Sequence, residues 1–222
     1  MTININEWLN LAIEKLQKTF DENLLFVGLQ GSYNRGEATS ESDIDLVVIL
    51  NKLNFEDLKT YRIIINEMPN KELTCGFISG KEELQNWSKA DLFQFFYDTK
   101  CLVGNLEDII QPPNIEDIKK SIKTNSETLY HAAVHSFVHS SNFKEDLQNL
   151  YKMTFFILQA KFFVENNIYI KTKKELVEYL LGTDKEILNT CINRKQFISK
   201  NEIELEKLYE KLINWTTVLI SY

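Results

Sequence analysis

The sequence predicts an α/β (α+β) domain on a small mixed sheet, followed by an all-α helical bundle. Three observations carry that reading. Short, almost wholly apolar runs alternate with helical stretches over the first half of the chain. The tetrapeptide QPPN at 111–114 then ends regular structure with two prolines. Beyond it only helical periodicity is found. The expected domains are therefore 1–111 and 112–222.

The elements follow in order. Residues 5–20 set Trp8, Ile13, Leu16 and Phe20 at helical spacing. Leu24 to Gly28 is a short apolar run closing on glycine, which reads as a strand. Asp43 to Leu50 is nearly all apolar after its aspartates, the pattern of a strand buried on both faces. A helix over 54–68 stops before Pro69. Glu72 to Ser79 reads as a third strand, 82–96 as mainly helical, and Lys100 to Val103 as a fourth strand. Helices are expected near 115–140, 145–167, 173–181, 184–193 and 201–220. The stripe Phe155, Phe156, Phe162 and Phe163 reads as core rather than as a base-stacking platform. No internal repeat or low-complexity tract changes this picture.

Composition narrows the function classes. The chain has 222 residues and is 44% hydrophobic, enough to build a core. Its net charge is -7, and arginine occurs only at 35, 62 and 194. Nucleic-acid binding rests on neutralising phosphates with a basic face, so no nucleic-acid partner is expected. Cys75, Cys101 and Cys191 are odd in number and form no CxxC pair. They read as reduced thiols, not a disulfide frame or a zinc site. The apolar run Met153 to Val164 is broken by Gln159 and Lys161 and is too short to span a bilayer. The opening MTININEWLNLAIEKLQ carries acids and is no signal peptide. A soluble cytoplasmic protein without membrane contact is expected. Nothing in the sequence indicates an oligomeric state.

The chemistry concentrates in GLQGSYNRGEATSESDIDLVVIL, Gly28 to Leu50. Alternate residues of a strand share a face, so Asp43 and Asp45 point one way with Ile44 behind them. Carboxylates that close repel each other unless a cation lies between them. Mg²⁺ takes oxygen ligands and keeps positions open for phosphate. Upstream, Gly31 lets the backbone approach a phosphate, Ser32 adds a hydroxyl donor, and Arg35 offers a fork to phosphate oxygens. Ser42 is placed to steady the nucleotide or the metal shell. An anion site shortly before a paired-carboxylate site points to a metal-bound nucleoside triphosphate.

GSYNRGEATSESDIDLVV resembles the signature of the nucleotidyltransferase superfamily typified by DNA polymerase beta: an apolar strand, Gly-Ser, a spacer, then Asp-apolar-Asp. Its small-molecule branch includes aminoglycoside and lincosamide nucleotidyltransferases. The resemblance implies a third carboxylate on a later strand that serves as general base. Glu72 in KELTCGFIS is the candidate, and Glu67 the fallback. It also implies a helical domain after the catalytic one. There NLYKMTFFILQAKFFVENNIYIKTKKE resembles the helix-loop-helix that sets basic residues against the triphosphate, which nominates Lys161 and Lys173. Relatives often carry Arg at the first of these positions, and Gly where this chain has Asn166 and Asn167.

The reaction so implied is nucleotidyl transfer, with two Mg²⁺ on Asp43 and Asp45, ATP as co-substrate, and Glu72 taking the proton of an acceptor hydroxyl. The acceptor implied is a small hydroxylated molecule, most concretely an aminoglycoside-like antibiotic. The alternatives are a protein-adenylylating antitoxin-type enzyme, which is usually shorter, and an inactive nucleotide-binding module. In the helical half Glu127, Asp146 and Glu165 suit a cationic acceptor, and the sequence does not rank them. All the histidines lie in HAAVHSFVH, at 131, 135 and 139 on one helix face. The outer pair are about 12 Å apart along the axis, too far for one ion to take all three. Leu129, Ala133, Ser136 and Ser140 read as the packed stripe instead.

Overall fold

The computed structural model describes residues 3–221. They fall into two compact units that divide between Pro112 and Pro113. The first contains α1 (Ile5–Phe20), β1 (Leu24–Gln30), α2 (Gly31–Arg35), β2 (Ile44–Leu50), α3 (Phe55–Asn66), β3 (Thr74–Gly80), α4 (Lys81–Gln85), α5 (Leu92–Tyr97) and β4 (Lys100–Val103). The sheet order is β3-β2-β1-β4. β1 runs antiparallel to both β2 and β4, and β3 runs parallel to β2, so the sheet is mixed as expected.

β2 is the spine of this unit because its apolar residues serve two cores. Ile44, Leu46, Val48 and Leu50 pack under α1 and α3 with Trp8, Leu16, Phe20 and Ile64. Val47 and Ile49 pack on the other face with Phe26, Leu84, Leu92, Phe95 and Ile109. Each such side chain contributes about 1.5–3 kcal/mol through burial. Helix starts are fixed locally: Asn4 accepts the Glu7 amide, and Asn54 and Asp57 form a capping box on α3.

Three boundaries differ from the sequence reading. β1 does not close at Gly28 but continues to Gln30, because β2 and β4 both supply ladder partners there. Glu72 does not begin the third strand; Lys71–Leu73 form a 3-10 turn and β3 starts at Thr74. The helix expected over 82–96 is two helices, α4 and α5. The Asn86 side chain donates to the Glu82 carbonyl at 2.8 Å and closes α4.

The described residues of the second unit form helices and no strand: α6 (Ile115–His139), α7 (Phe143–Asn166), α8 (Lys173–Tyr179), α9 (Gly182–Ile192) and α10 (Glu202–Ile220), with a 3-10 segment at Arg194–Ser199. Capping boxes open α6 at Asn114 and α10 at Asn201. α7 is the central helix, with Tyr151, Phe155, Leu158, Phe162 and Phe163 buried, so the aromatic stripe is core as read except at Phe156, which is half-buried. Asn167 ends α7 at φ 54°, the left-handed cap conformation that glycine usually supplies and asparagine tolerates. Among the described residues no helix is long and apolar enough to cross a membrane.

Candidate active site

The site is built where β1 ends and β2 begins. Ile44 is wholly buried, which fixes the direction of its neighbours. Asp43 lies just outside β2 and is exposed, and Asp45 is half-buried on the strand. Asp45 pairs in register with Gln30 on β1 and Cys75 on β3. Gly31 follows Gln30 with φ +70°, and a Cβ there would sit 1.7 Å from Asp45 Oδ2. Only glycine fits both the left-handed backbone and this contact. The turn and the carboxylate are therefore set against each other by the fold.

Asp43 and Asp45 are hard oxygen donors, the chemistry Mg²⁺ takes, and the cradle at Gly31 fixes where the second carboxylate sits. The residues fit a magnesium site with two protein ligand groups. Among the described residues no group of three or more His, Cys, Asp or Glu side chains is arranged to hold a metal.

The Gly-Ser turn is tied on its other side to residues 95–99. The Gly31 amide donates to Asp98 Oδ2 at 3.3 Å. Arg35 donates to the same oxygen and, at 3.4 Å, to Glu37 Oε2. Asn34 Nδ2 donates to the Asp98 carbonyl at 2.6 Å, and Gln30 Nε2 to Thr99 Oγ1 at 2.6 Å. Arg35 thus differs from its expected place as a phosphate fork: its side chain is nearly buried and its guanidinium is engaged by two carboxylates. Ser42 is also engaged locally. Its Oγ accepts the Thr39 amide at 2.8 Å and its own amide donates to the Thr39 carbonyl at 3.1 Å. Ser32 is half-buried in the turn.

Glu72 is exposed in the 3-10 turn before β3. The parallel register Ile44 to Thr74 brings that turn level with the residues preceding β2, the end where Asp43 lies. β3 itself, TCGFISG, carries no carboxylate, and Cys75 takes the place beside Asp45. Glu67 is held in an ion pair with Lys15 at 2.8 Å.

Lys161 and Lys173 belong to the helical unit. Lys161 bridges Glu165 at 2.7 Å and Asp184 at 2.8 Å. Burial pulls its pKa down, but hydrogen bonds and charge from those two carboxylates outweigh it and leave the pKa raised. Lys173 places its ammonium 4.5 Å from the centre of the Phe155 ring. The histidines are exposed along α6, with ring centroids 6.1 Å apart for His131–His135 and 4.9 Å for His135–His139. With Asp146, Asn149 and Met153 they line an open groove of about 580 Å³. Leu129, Ala133 and Ser136 are buried, as the stripe reading expects, whereas Ser140 is half-buried and caps the end of α6.

Residues 10–207 match the model of the family described as nucleotidyltransferase domain. The chain belongs to that family. No curated protein matches it in sequence. Among solved structures, this nucleotidyltransferase chain is similar to the spectinomycin adenyltransferase AAD(9) from Enterococcus faecialis, solved with ATP and spectinomycin. The TM-score is 0.56 at 15% identity, over 93% of this chain and 98% of that one. The likeness is one of fold. A toxin–antitoxin structure with AMP-PNP is similar at 20% identity over 61% of this chain and 95% of that chain, with a TM-score of 0.33.

Sequence reasoning missed Asp98, the acid on which the nucleotidyltransferase turn is anchored. Its one signal was an aspartate inside the aromatic run FQFFYDTK, where burial demands a partner such as Arg35.

Proposed function

We propose that this chain is an adenylyltransferase that moves AMP from ATP to a hydroxyl of a small molecule, with residues 1–111 carrying the chemistry and 112–222 the acceptor specificity. The observation that carries this reading is the Gly31 cradle against Asp45 Oδ2 beside the exposed Asp43. Membership of the nucleotidyltransferase family and the adenyltransferase-like fold support it.

Asp43 and Asp45 would hold magnesium. When bound, the ion supplies neutralisation of the triphosphate and Lewis-acid polarisation. Gly31 and Ser32 admit the phosphates to the turn, and the turn excludes a Cβ that would push them off. The acceptor oxygen forms a bond to the α-phosphorus, and the bond from that phosphorus to the pyrophosphate oxygen breaks. Glu72 takes the hydroxyl proton. Positioning and charge stabilisation provide most of the rate. Of the acids suited to a cationic acceptor, Asp146 lines the α6–α7 groove, whereas Glu165 is engaged by Lys161.

The test uses α-labelled ATP, Mg²⁺ and purified protein, with aminoglycosides and lincosamides offered beside a cell lysate and Asp45→Asn as the blank. Label on one drug is the expected result and names the acceptor. Label confined to a lysate protein would replace this reading with the antitoxin-type one.

A further inference from the structure

One buried carboxylate oxygen joins the two ends of the Gly-Ser turn. Asp98 is 6% exposed, and its Oδ2 accepts both the Gly31 amide, at 3.3 Å, and the Arg35 guanidinium. Gly31 opens α2 and Arg35 closes it, so this atom spans the element. Asn34 and Gln30 bind the same 95–99 segment through the Asp98 carbonyl, Thr99 Oγ1 and the Phe95 carbonyl. On its opposite side the turn presses a bare Cα against Asp45. Any shift of the turn is therefore felt at Asp45.

We infer that Asp98 is a positioning residue for the nucleotidyl-transfer site: through Gly31 and Arg35 it holds the Gly-Ser turn in register with the metal-binding Asp45. The inference rests on the reading given under Proposed function. A buried ion pair is weak evidence for stability, because an apolar replacement often does as well. What an apolar residue cannot do is fix the direction of one amide and one guanidinium at once. Arg35 acts here through Asp98 as a brace for the turn.

The experiment measures Mn²⁺ affinity by electron paramagnetic resonance, and KM and kcat for ATP, in wild type, Asp98→Asn, Arg35→Lys and the double variant. Asp98→Asn keeps the shape and an acceptor for Gly31 but removes the charge that holds Arg35. Its Mn²⁺ affinity should fall about tenfold or more, the usual cost of losing an outer support of a metal ligand. KM should rise in parallel, and the double variant should be no worse than Asp98→Asn alone. A folded Asp98→Asn protein with Mn²⁺ affinity and KM within about twofold of wild type would overturn the inference, since a merely structural residue changes melting but not these. Should Asp98→Asn not fold, Arg35→Lys decides: unchanged Mn²⁺ affinity and KM overturn the claim, and weakened values uphold it. A wild type that binds Mn²⁺ but transfers no nucleotide sinks the functional reading alone, and the Mn²⁺ affinities still decide the role of Asp98. A wild type that binds no Mn²⁺ sinks both.

Discussion

Two clusters, one in each unit, use charge differently. At the end of the sheet, Asp43 and Asp45 stand one residue apart on one side of buried Ile44, and like charges are kept adjacent. In the helical unit, charges are matched between helices: Lys161 with Asp184, Lys211 with Glu186 at 2.7 Å, and Asp184 again with the Trp215 indole at 2.8 Å. Neighbouring carboxylates suit a cation. Matched pairs need no ligand. The difference is the one the proposed site requires: carboxylates gathered at the sheet end, and ionic contacts in the helical unit that join its helices.

The largest effect that tests this contrast is Gly31→Ala. The new Cβ meets Asp45 Oδ2 at 1.7 Å on a backbone at φ +70°. Transfer activity should drop by about three orders of magnitude or more. The helical unit should keep its circular dichroism. An active Gly31→Ala enzyme would separate the turn from the chemistry and break the comparison.

Asp45→Asn comes next. Activity should be abolished with little unfolding. Melting scans with and without Mg²⁺ check it: the ion should raise the wild-type midpoint and leave the variant unmoved. Normal turnover by Asp45→Asn would remove the metal assignment.

A substitution in the helical unit should do the reverse. Ser136 Oγ donates to Asp146 Oδ2 at 3.0 Å, and the Tyr209 hydroxyl lies 2.7 Å from Ser136 Oγ and 2.9 Å from the Phe143 carbonyl. Each hydroxyl has one hydrogen, so with Ser136 donating to Asp146 the Tyr209 hydroxyl donates either to Ser136 Oγ or to the Phe143 carbonyl, and without it neither acceptor is served. Tyr209→Phe should cost about 1–3 kcal/mol in denaturant melts, with KM for ATP unchanged. A shift in KM without loss of stability would contradict the division of roles.

Much of this was legible in the residues, and the reasons differ by region. β2 could be read because a strand buried on both faces must be apolar throughout, so its two aspartates stood out. The Asp-Ile-Asp face followed from the two-residue repeat alone. Glu72 was misplaced by two residues because a 3-10 turn and a strand start look alike when an apolar residue follows. The engagement of Arg35 was not legible. A guanidinium suits phosphate and carboxylate equally, and its partner Asp98 is 63 residues away in sequence. The pairing of Lys161 with Asp184 was hidden in the same way, since Asp184 lies 23 residues further on. Periodicity reports local faces. It says nothing about which distant charge a face will meet.

The smallest expected effect compares a tyrosine in each unit. Burial pushes the Tyr61 phenol up to about 12 from its ordinary 10.0, with the nearby Cys75 thiolate as the second cause. Burial likewise raises Tyr151, whose hydroxyl donates to the Leu208 carbonyl at 2.9 Å. Both folded-state values exceed the unfolded one, so the unfolded chain releases its protons first. The stability these groups contribute is complete below pH 10 and is lost as pH rises, for Tyr61 between about 10 and 12. Urea melts across that window should show stability falling with pH. Tyr61→Phe should reduce the slope by about one proton, roughly 2–3 kcal/mol over the window, while costing little at pH 7. Cys75→Ser should leave most of the slope, because burial is the larger cause. The remaining alkaline loss in Tyr61→Phe should then track the other tyrosines that burial raises, Tyr151, Tyr97 and Tyr209, followed by phenolate absorbance, and a slope identical to wild type would mean that Tyr61 takes no part in it.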